Sequence, residues 1–237
     1  MDKPLISVIM ATYNNEKTLD KCIKSILNQS FKNFEFIIIN DGSTDNSKKI
    51  IEHYSNLDKR VKYIFQSNKG LTKSLNIGIN IAKGKYIARQ DADDESLSDR
   101  FSIQLEWLQK YDYDLCSSRA ILNKSRRRIP AFTYFLPYKL IILFKNPFIH
   151  GSFLIKRKIL QKINGYDENF IYAQDYKLII DLINISAKIK ILKSPLYILG
   201  ELKDRISITH LNEQLESSKK IQKIYFNNIL NSFGKND

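Results

Sequence analysis

The sequence predicts an α/β protein built on a mostly parallel central sheet with helices on both faces. Three observations carry this. Through the first ninety or so residues, short apolar runs alternate with segments of helical period. Polar clusters follow the first, second and fourth of those runs, at the strand ends where such sheets bind ligands. The 237 residues are 43% hydrophobic and 27% charged, which supplies a sizeable core and excludes a disordered chain.

Leu5-Ile6-Ser7-Val8-Ile9-Met10 is an apolar run of the kind buried on both faces of a parallel sheet. Asn14 and Asn15 are placed to cap a helix in which Leu19, Cys22, Ile23, Ile26 and Leu27 form one buried stripe. Phe34 to Ile39 reads as the second strand, ending at the turn sequence Asn40-Asp41-Gly42-Ser43. A helix is predicted over 45–54, with Thr44 or Asp45 as its cap. Val61 to Phe65 is the third strand, and Leu71, Leu75, Ile79 and Ala82 line one face of the third helix. A fourth strand over 85–88 runs into Asp91-Ala92-Asp93-Asp94.

The second half is less regular. It predicts a helix over 98–110 burying Phe101, Leu105 and Leu108, then a strand over 115–122. Arg126 to Arg128 reads as a solvated loop, and 148–155 as a strand containing His150. A helix begins at Asp175, short strands follow over 188–192 and 196–199, and an amphipathic helix occupies 211–233. No repeat or Gly/Ser linker divides the chain. Residues 1–205 are expected to form one domain, with 206–237 a C-terminal helix packed on it or lying at a membrane surface.

The 38 Lys and Arg against 25 Asp and Glu give a formal charge of +13. Nucleic acid, an anionic membrane or a small polyanion would each suit that balance, as would compositional drift toward Lys. Exposed aromatics among the basic residues and known nucleic-acid motifs do not stand out, so no nucleic-acid partner is expected. Cys22 and Cys116 read as free buried thiols in a reducing compartment. The most apolar stretch, 129–155, is interrupted by Lys139 and Lys145, and the N-terminus lacks signal-peptide character. The expected location is the cytoplasm, with peripheral contact at the inner face of its membrane.

Three carboxylates within Asp91-Ala92-Asp93-Asp94 repel one another unless solvated or neutralised by a hard divalent cation. The alternative is a helix N-terminus, where Asp is also favoured. Asp41 closes a buried strand and is free to accept bonds from a base or ribose, once the turn and cap have claimed its neighbours. Neither G-x-G-x-x-G nor G-x-x-x-x-G-K-[ST] occurs, which argues against a dinucleotide dehydrogenase and a P-loop hydrolase.

Several segments together resemble family 2 glycosyltransferases of GT-A (Rossmann-like) fold. They are Ser7 to Asn14, Ile39 to Asp45, Asn68-Lys69-Gly70-Leu71 through Leu75 to Ile79, Ile87 to Asp94, His150-Gly151-Ser152 and Gln174-Asp175-Tyr176. The resemblance implies that Ala11, Thr12 and Tyr13 line the base pocket and that Asp41 bonds the base, often uracil. It implies Asp91 on the ribose or nearby sugar, and Asp93 on Mn²⁺ or Mg²⁺ bridging a diphosphate. Asp175 matches the catalytic base, with Gln174 where the family usually has Glu. Lys73, Arg89 and Arg205 are candidates for charge near the phosphates, His150 for the acceptor side and His210 for a third metal ligand. The implied activity is inverting transfer of a single sugar from a nucleotide-sugar donor, UDP-linked by expectation. The acceptor would be a glycan or lipid-linked oligosaccharide of bacterial surface polysaccharide, such as lipopolysaccharide or capsule. Processive relatives carry spanning helices and Q-x-x-R-W, which this chain lacks. A basic membrane- or nucleic-acid-binding module, and a transferase homologue weakened at Gln174, are the alternatives.

Overall fold

The computed structural model describes residues 3–131, 135–200 and 210–233. The candidate Arg205 and the boundary at 205/206 lie outside these residues. The alternation of runs and stripes becomes β1 (Ile6–Thr12), α1 (Glu16–Leu27), β2 (Phe34–Asn40), α2 (Ser47–Leu57), β3 (Val61–Phe65), α3 (Leu71–Ile81) and β4 (Tyr86–Arg89). Then come β5 (Glu95–Ser96), α4 (Arg100–Lys110), β6 (Leu115–Leu122), β7 (Arg128–Ile129) and α5 (Tyr138–Ile141). A 3-10 turn (His150–Ser152), β8 (Leu154–Lys156), α6 (Arg157–Lys162), α7 (Gln174–Asn184), β9 (Ile189–Leu199) and α8 (Leu211–Phe233) complete the order.

One sheet runs β3-β2-β1-β4-β8-β6-β9-β5, with β7 on β6. The four strands β3, β2, β1 and β4 are mutually parallel, as the βαβ repeats require. β8 is antiparallel to β4 and to β6, while β6 and β9 are parallel. The start of β8 therefore meets the carboxyl end of β4, and the end of β9 reaches the same rim.

Strand alternation divides the core in two. Ile6, Val8, Met10, Phe36 and Ile38 pack under α1, α2 and α4. Ile9, Ile37 and Ile39 pack on the other face, with buried residues of α3, α6, α7 and α8. Cys22 and Cys116 are both free and buried, as expected.

The second half departs from the sequence reading in three places. His150 lies in a 3-10 turn rather than a strand, because β8 begins only at Leu154. The two short strands over 188–199 are one strand, β9, whose pairing with β6 is shifted around Ser118 and Arg119. The irregularity absorbs Lys193, Ser194 and Pro195, the residues between the two predicted strands. Arg128 is exposed but belongs to β7, pairing with Ile121.

Candidate active site

The first turns of α1 and α2 share one acceptor, Asp45, in the loop before α2. Asn15 stands at the N-cap of α1, but its side chain accepts from the Thr12 hydroxyl (3.0 Å) and the Tyr13 amide (3.2 Å). The first amide of α1, at Glu16, instead donates to Asp45 Oδ2 (2.9 Å), while Ser47 donates to Asp45 Oδ1 (2.9 Å). Thr44 in turn donates to Asn14 Oδ1 (2.8 Å). Ala11, Thr12 and Tyr13 are thereby fixed at the end of β1, with Thr12 buried and Tyr13 48% exposed.

Asp41 lies beside them, its amide donating to Thr12 O (2.9 Å). Its carboxylate is already a hub. Gln66 Nε2 (2.7 Å) and the Lys69 amide (2.9 Å) donate to Oδ1, and the Gly70 amide (2.9 Å) donates to Oδ2. Presenting that amide requires φ of +87° at Gly70, which suits glycine. A carboxylate has about four lone-pair sites, so one more donor fits on Asp41. Lys73 is exposed in the first turn of α3.

The aspartate loop follows β4. Arg89 Nη2 donates to Asp91 Oδ1 at 2.6 Å, and the Asp91 amide donates to Tyr197 Oη at 3.0 Å. A Cβ on Gly151 would stand 2.1 Å from that phenolic oxygen and 2.6 Å from Asp91 Oδ2, so only glycine lets the 3-10 turn approach. Asp93 is half-buried; Asp94 is buried and accepts the Gly200 amide at 2.7 Å. Arg89 is itself buried, and its Nε and Nη1 have no hydrogen-bond partner among the described residues. Its guanidinium therefore backs Asp91 from inside the molecule.

Asp175 arrives from the other side, in the first turn of α7. Ala173, at the N-cap, takes the left-handed conformation (φ 56°) that turns the chain into the helix. Asn146 Nδ2 donates to Asp175 Oδ2 at 2.7 Å. Burial pushes the Asp175 carboxyl above the ordinary aspartate range, against the pull of the Tyr176 amide and Asn146; the charge of Asp91 pushes the same way. A helix N-terminus favours the anion, but burial outweighs it here. A raised pKa makes the carboxylate a better proton acceptor while it remains ionised.

His150 Nε2 and Tyr166 Oη are 2.7 Å apart. Burial, and then the charge of Arg89, push the imidazole down to about 3, so His150 is neutral. Gln174 is half-buried beside Asp175. His210 is not drawn to the aspartates: it is exposed, its ring 5.1 Å from that of Tyr172 and its Nδ1 3.4 Å from Glu213. Among the described residues no group of three or more His, Cys, Asp or Glu is arranged to hold a metal. Asp93 at the rim still fits Mg²⁺ or Mn²⁺, since such ions take one or two carboxylates and complete their shell with phosphates and water.

Beneath the rim lies a polar network that the sequence reading missed. Arg100 is fully buried. Its N–H groups reach Gln104 Oε1, Gln90 Oε1, Ser96 Oγ, Arg89 O and Phe153 O at 2.7–3.1 Å. These match all five donors of a guanidinium. Gln104 Nε2 continues to Cys116 O and Ser152 O, and Gln90 Nε2 to Asp91 O and Asp94 O. The signal was present: Arg100 and Gln104 fall on the same helical stripe as Phe101, Leu105 and Leu108.

A mainly parallel sheet flanked by helices, with Asp41, the aspartate loop and Asp175 at its rim, has the GT-A fold. The profile described as "Glycosyl transferase family 2" matches residues 7–164, and the chain belongs to this family of glycosyltransferases. An "uncharacterized glycosyltransferase" of Methanocaldococcus jannaschii is 38% identical, over 100% of this chain and 81% of that protein. The O-antigen biosynthesis glycosyltransferase WbnJ of Escherichia coli is 34% identical, over 76% of this chain and 72% of that one. Two solved structures share the fold. S. aureus TarS 1–349 in complex with UDP has TM-score 0.73 and 19% identity, covering 93% of this chain and 64% of that one. Mannosyltransferase PcManGT from Pyrobaculum calidifontis, in complex with GDP-Man and Mn²⁺, has TM-score 0.69 and 16% identity, covering 89% and 61%.

Proposed function

We propose that the chain is an inverting, metal-dependent, non-processive transferase. It moves one sugar from a UDP-sugar to a glycan acceptor, in assembly of surface polysaccharide such as lipopolysaccharide or capsule. The observation that carries this reading is the convergence of Asp175 on Asp91 at the sheet rim, with Asp175 shifted toward proton affinity. TarS in complex with UDP and with UDP-GlcNAc, and the O-antigen relative, support the donor and the pathway.

In this reading Ala11, Thr12 and Tyr13 hold the base, and Asp41 accepts one donor from it. Asp91, held by Arg89, orients the ribose or the donor sugar. Asp175 takes the proton of an acceptor hydroxyl as that oxygen attacks the anomeric carbon; the bond to the diphosphate breaks, and the nucleoside diphosphate leaves with that electron pair. Asp93 would hold Mn²⁺ or Mg²⁺, which when bound supplies Lewis-acid neutralisation of the departing diphosphate. Neutral His150, paired with Tyr166, and Gln174 border the acceptor side. Arg89 is enclosed behind Asp91, so its role is to position that carboxylate, while Lys73 is exposed.

Calorimetric titration with UDP, GDP and CDP, with Mn²⁺ and then with EDTA, tests the donor reading. UDP should bind with Mn²⁺ and be weakened by chelation, and Asp93→Ala should abolish that metal dependence. A folded protein that binds none of the three would overturn it. Gln174 favours one second reading, a homologue that binds donor without turnover; metal-dependent UDP binding with no donor consumption across acceptors would support it.

A further inference from the structure

α8 uses only part of its apolar surface on its own domain. Ile221 and Tyr225 are buried in the core shared with α7. Leu211, Leu215, Phe226 and Leu230 are 50–54% exposed. At 3.6 residues per turn these four fall within one arc of about 100°, next to the buried stripe. Exposed Lys219 and Lys223 stand at that arc's far side.

A second apolar ridge adjoins it around α5. Leu136, Leu140 and Phe144 are 46%, 59% and 78% exposed, with exposed Lys139 and Lys145 among them. Gln222 Nε2 of α8 donates to Phe144 O at 2.7 Å, which joins the two ridges. Both are tied to the start of α7. Asn146 bonds Asp175, the Tyr176 hydroxyl bonds Ile142 O, and His210 lies against Tyr172. Glu213 and Glu216 are the nearby acids on α8, and Glu213 faces His210.

We propose that the α5 and α8 ridges together form a docking surface for an anionic lipid bilayer. Exposed apolar side chains bordered by lysines, on a chain of net charge +13, match the chemistry of an acyl and headgroup boundary. Docking there brings the start of α7 to the interface, where a lipid-carried acceptor arrives. Only that last consequence rests on Asp175 being the base.

Flotation of the full chain with vesicles tests the surface. The chain should rise with phosphatidylcholine vesicles containing phosphatidylglycerol, rise far less with phosphatidylcholine alone, and be released by salt. Replacing Lys139, Lys145, Lys219 or Lys223 by Gln should lower partitioning roughly fivefold per lysine. Phe144→Ser and Phe226→Ser should each lower it on the order of tenfold or more. These side chains are exposed, so thermal melts and UDP titration should stay unchanged. A folded monomer that remains in the aqueous phase, or variants that float like the parent, overturns the proposal. So does a concentration-dependent dimer dissolved by Phe144→Ser and Phe226→Ser, which would assign the surface to a second copy. Asp175→Asn should float like the parent, so failure of the transferase reading leaves this result standing.

Discussion

Asp175 combines two demands that oppose each other. Its carboxylate must be ionised to accept a proton, yet burial and the neighbouring Asp91 make that charge costly. Asp175→Asn should therefore lower transfer by about 10²–10⁴-fold while UDP binding persists, as read by single-turnover assay and calorimetry. The stability effect has the opposite sign. A carboxyl whose folded pKa is raised binds its proton more tightly in the folded state, so its contribution falls as pH rises above the ordinary aspartate value. Asp175→Asn should accordingly melt higher than the parent at neutral pH, with the gap closing in acid. In the active enzyme, the acid limb of kcat/KM should lie above the ordinary aspartate range.

At the scale of elements, the rim is held by a loop that caps two helices at once. Asp45 serves α1 through Glu16 and α2 through Ser47. Burial pushes its carboxyl up, but the Ser47 and Glu16 bonds outweigh that and hold it below the usual range. Asp45→Ala should cost about 1–2 kcal/mol in chemical denaturation, within the span for a lost cap. It should also weaken UDP binding, because Asn14, Thr12 and Tyr13 depend on the same staple. A loss of stability with unchanged UDP affinity would separate the capping from the base pocket.

Across the whole molecule, Arg100 binds the two halves of the sheet. It reaches the end of β4, β5, α4 and the residue before β8, and the five acceptors it meets there are neutral amide, hydroxyl and carbonyl oxygens. Burial lowers its guanidinium to about 10, which leaves it charged at neutral pH. Arg100→Met should strand buried acceptors beneath the aspartate loop and cost on the order of 3–5 kcal/mol. For a chain of this length that corresponds to a melting point lower by roughly 10 °C, measurable by calorimetry. The same network explains how the exposed rim keeps a fixed geometry while it carries several like charges.

Residues in the first half were legible because local period and strand burial agree there. The apolar runs of β1 to β4, the stripes of α1 and α3 and the aspartates after β4 all follow from nearest-neighbour patterning. The second half was less legible because its register is set by distant partners. β9 is continuous only through its shifted pairing with β6, and the turn at His150 exists because β8 must start where β4 ends. Family membership, the parallel half-sheet and the identity of the rim carboxylates were thus determined by the sequence itself. Tertiary structure decided what those carboxylates experience: Asp175 raised by burial, Asp41 left with one open acceptor site by Gln66 and the loop before α3, His150 made neutral, and Arg100 placed where every donor finds an acceptor. Burial and long-range hydrogen bonding arise only when segments far apart in the chain are brought together, so no local pattern encodes them.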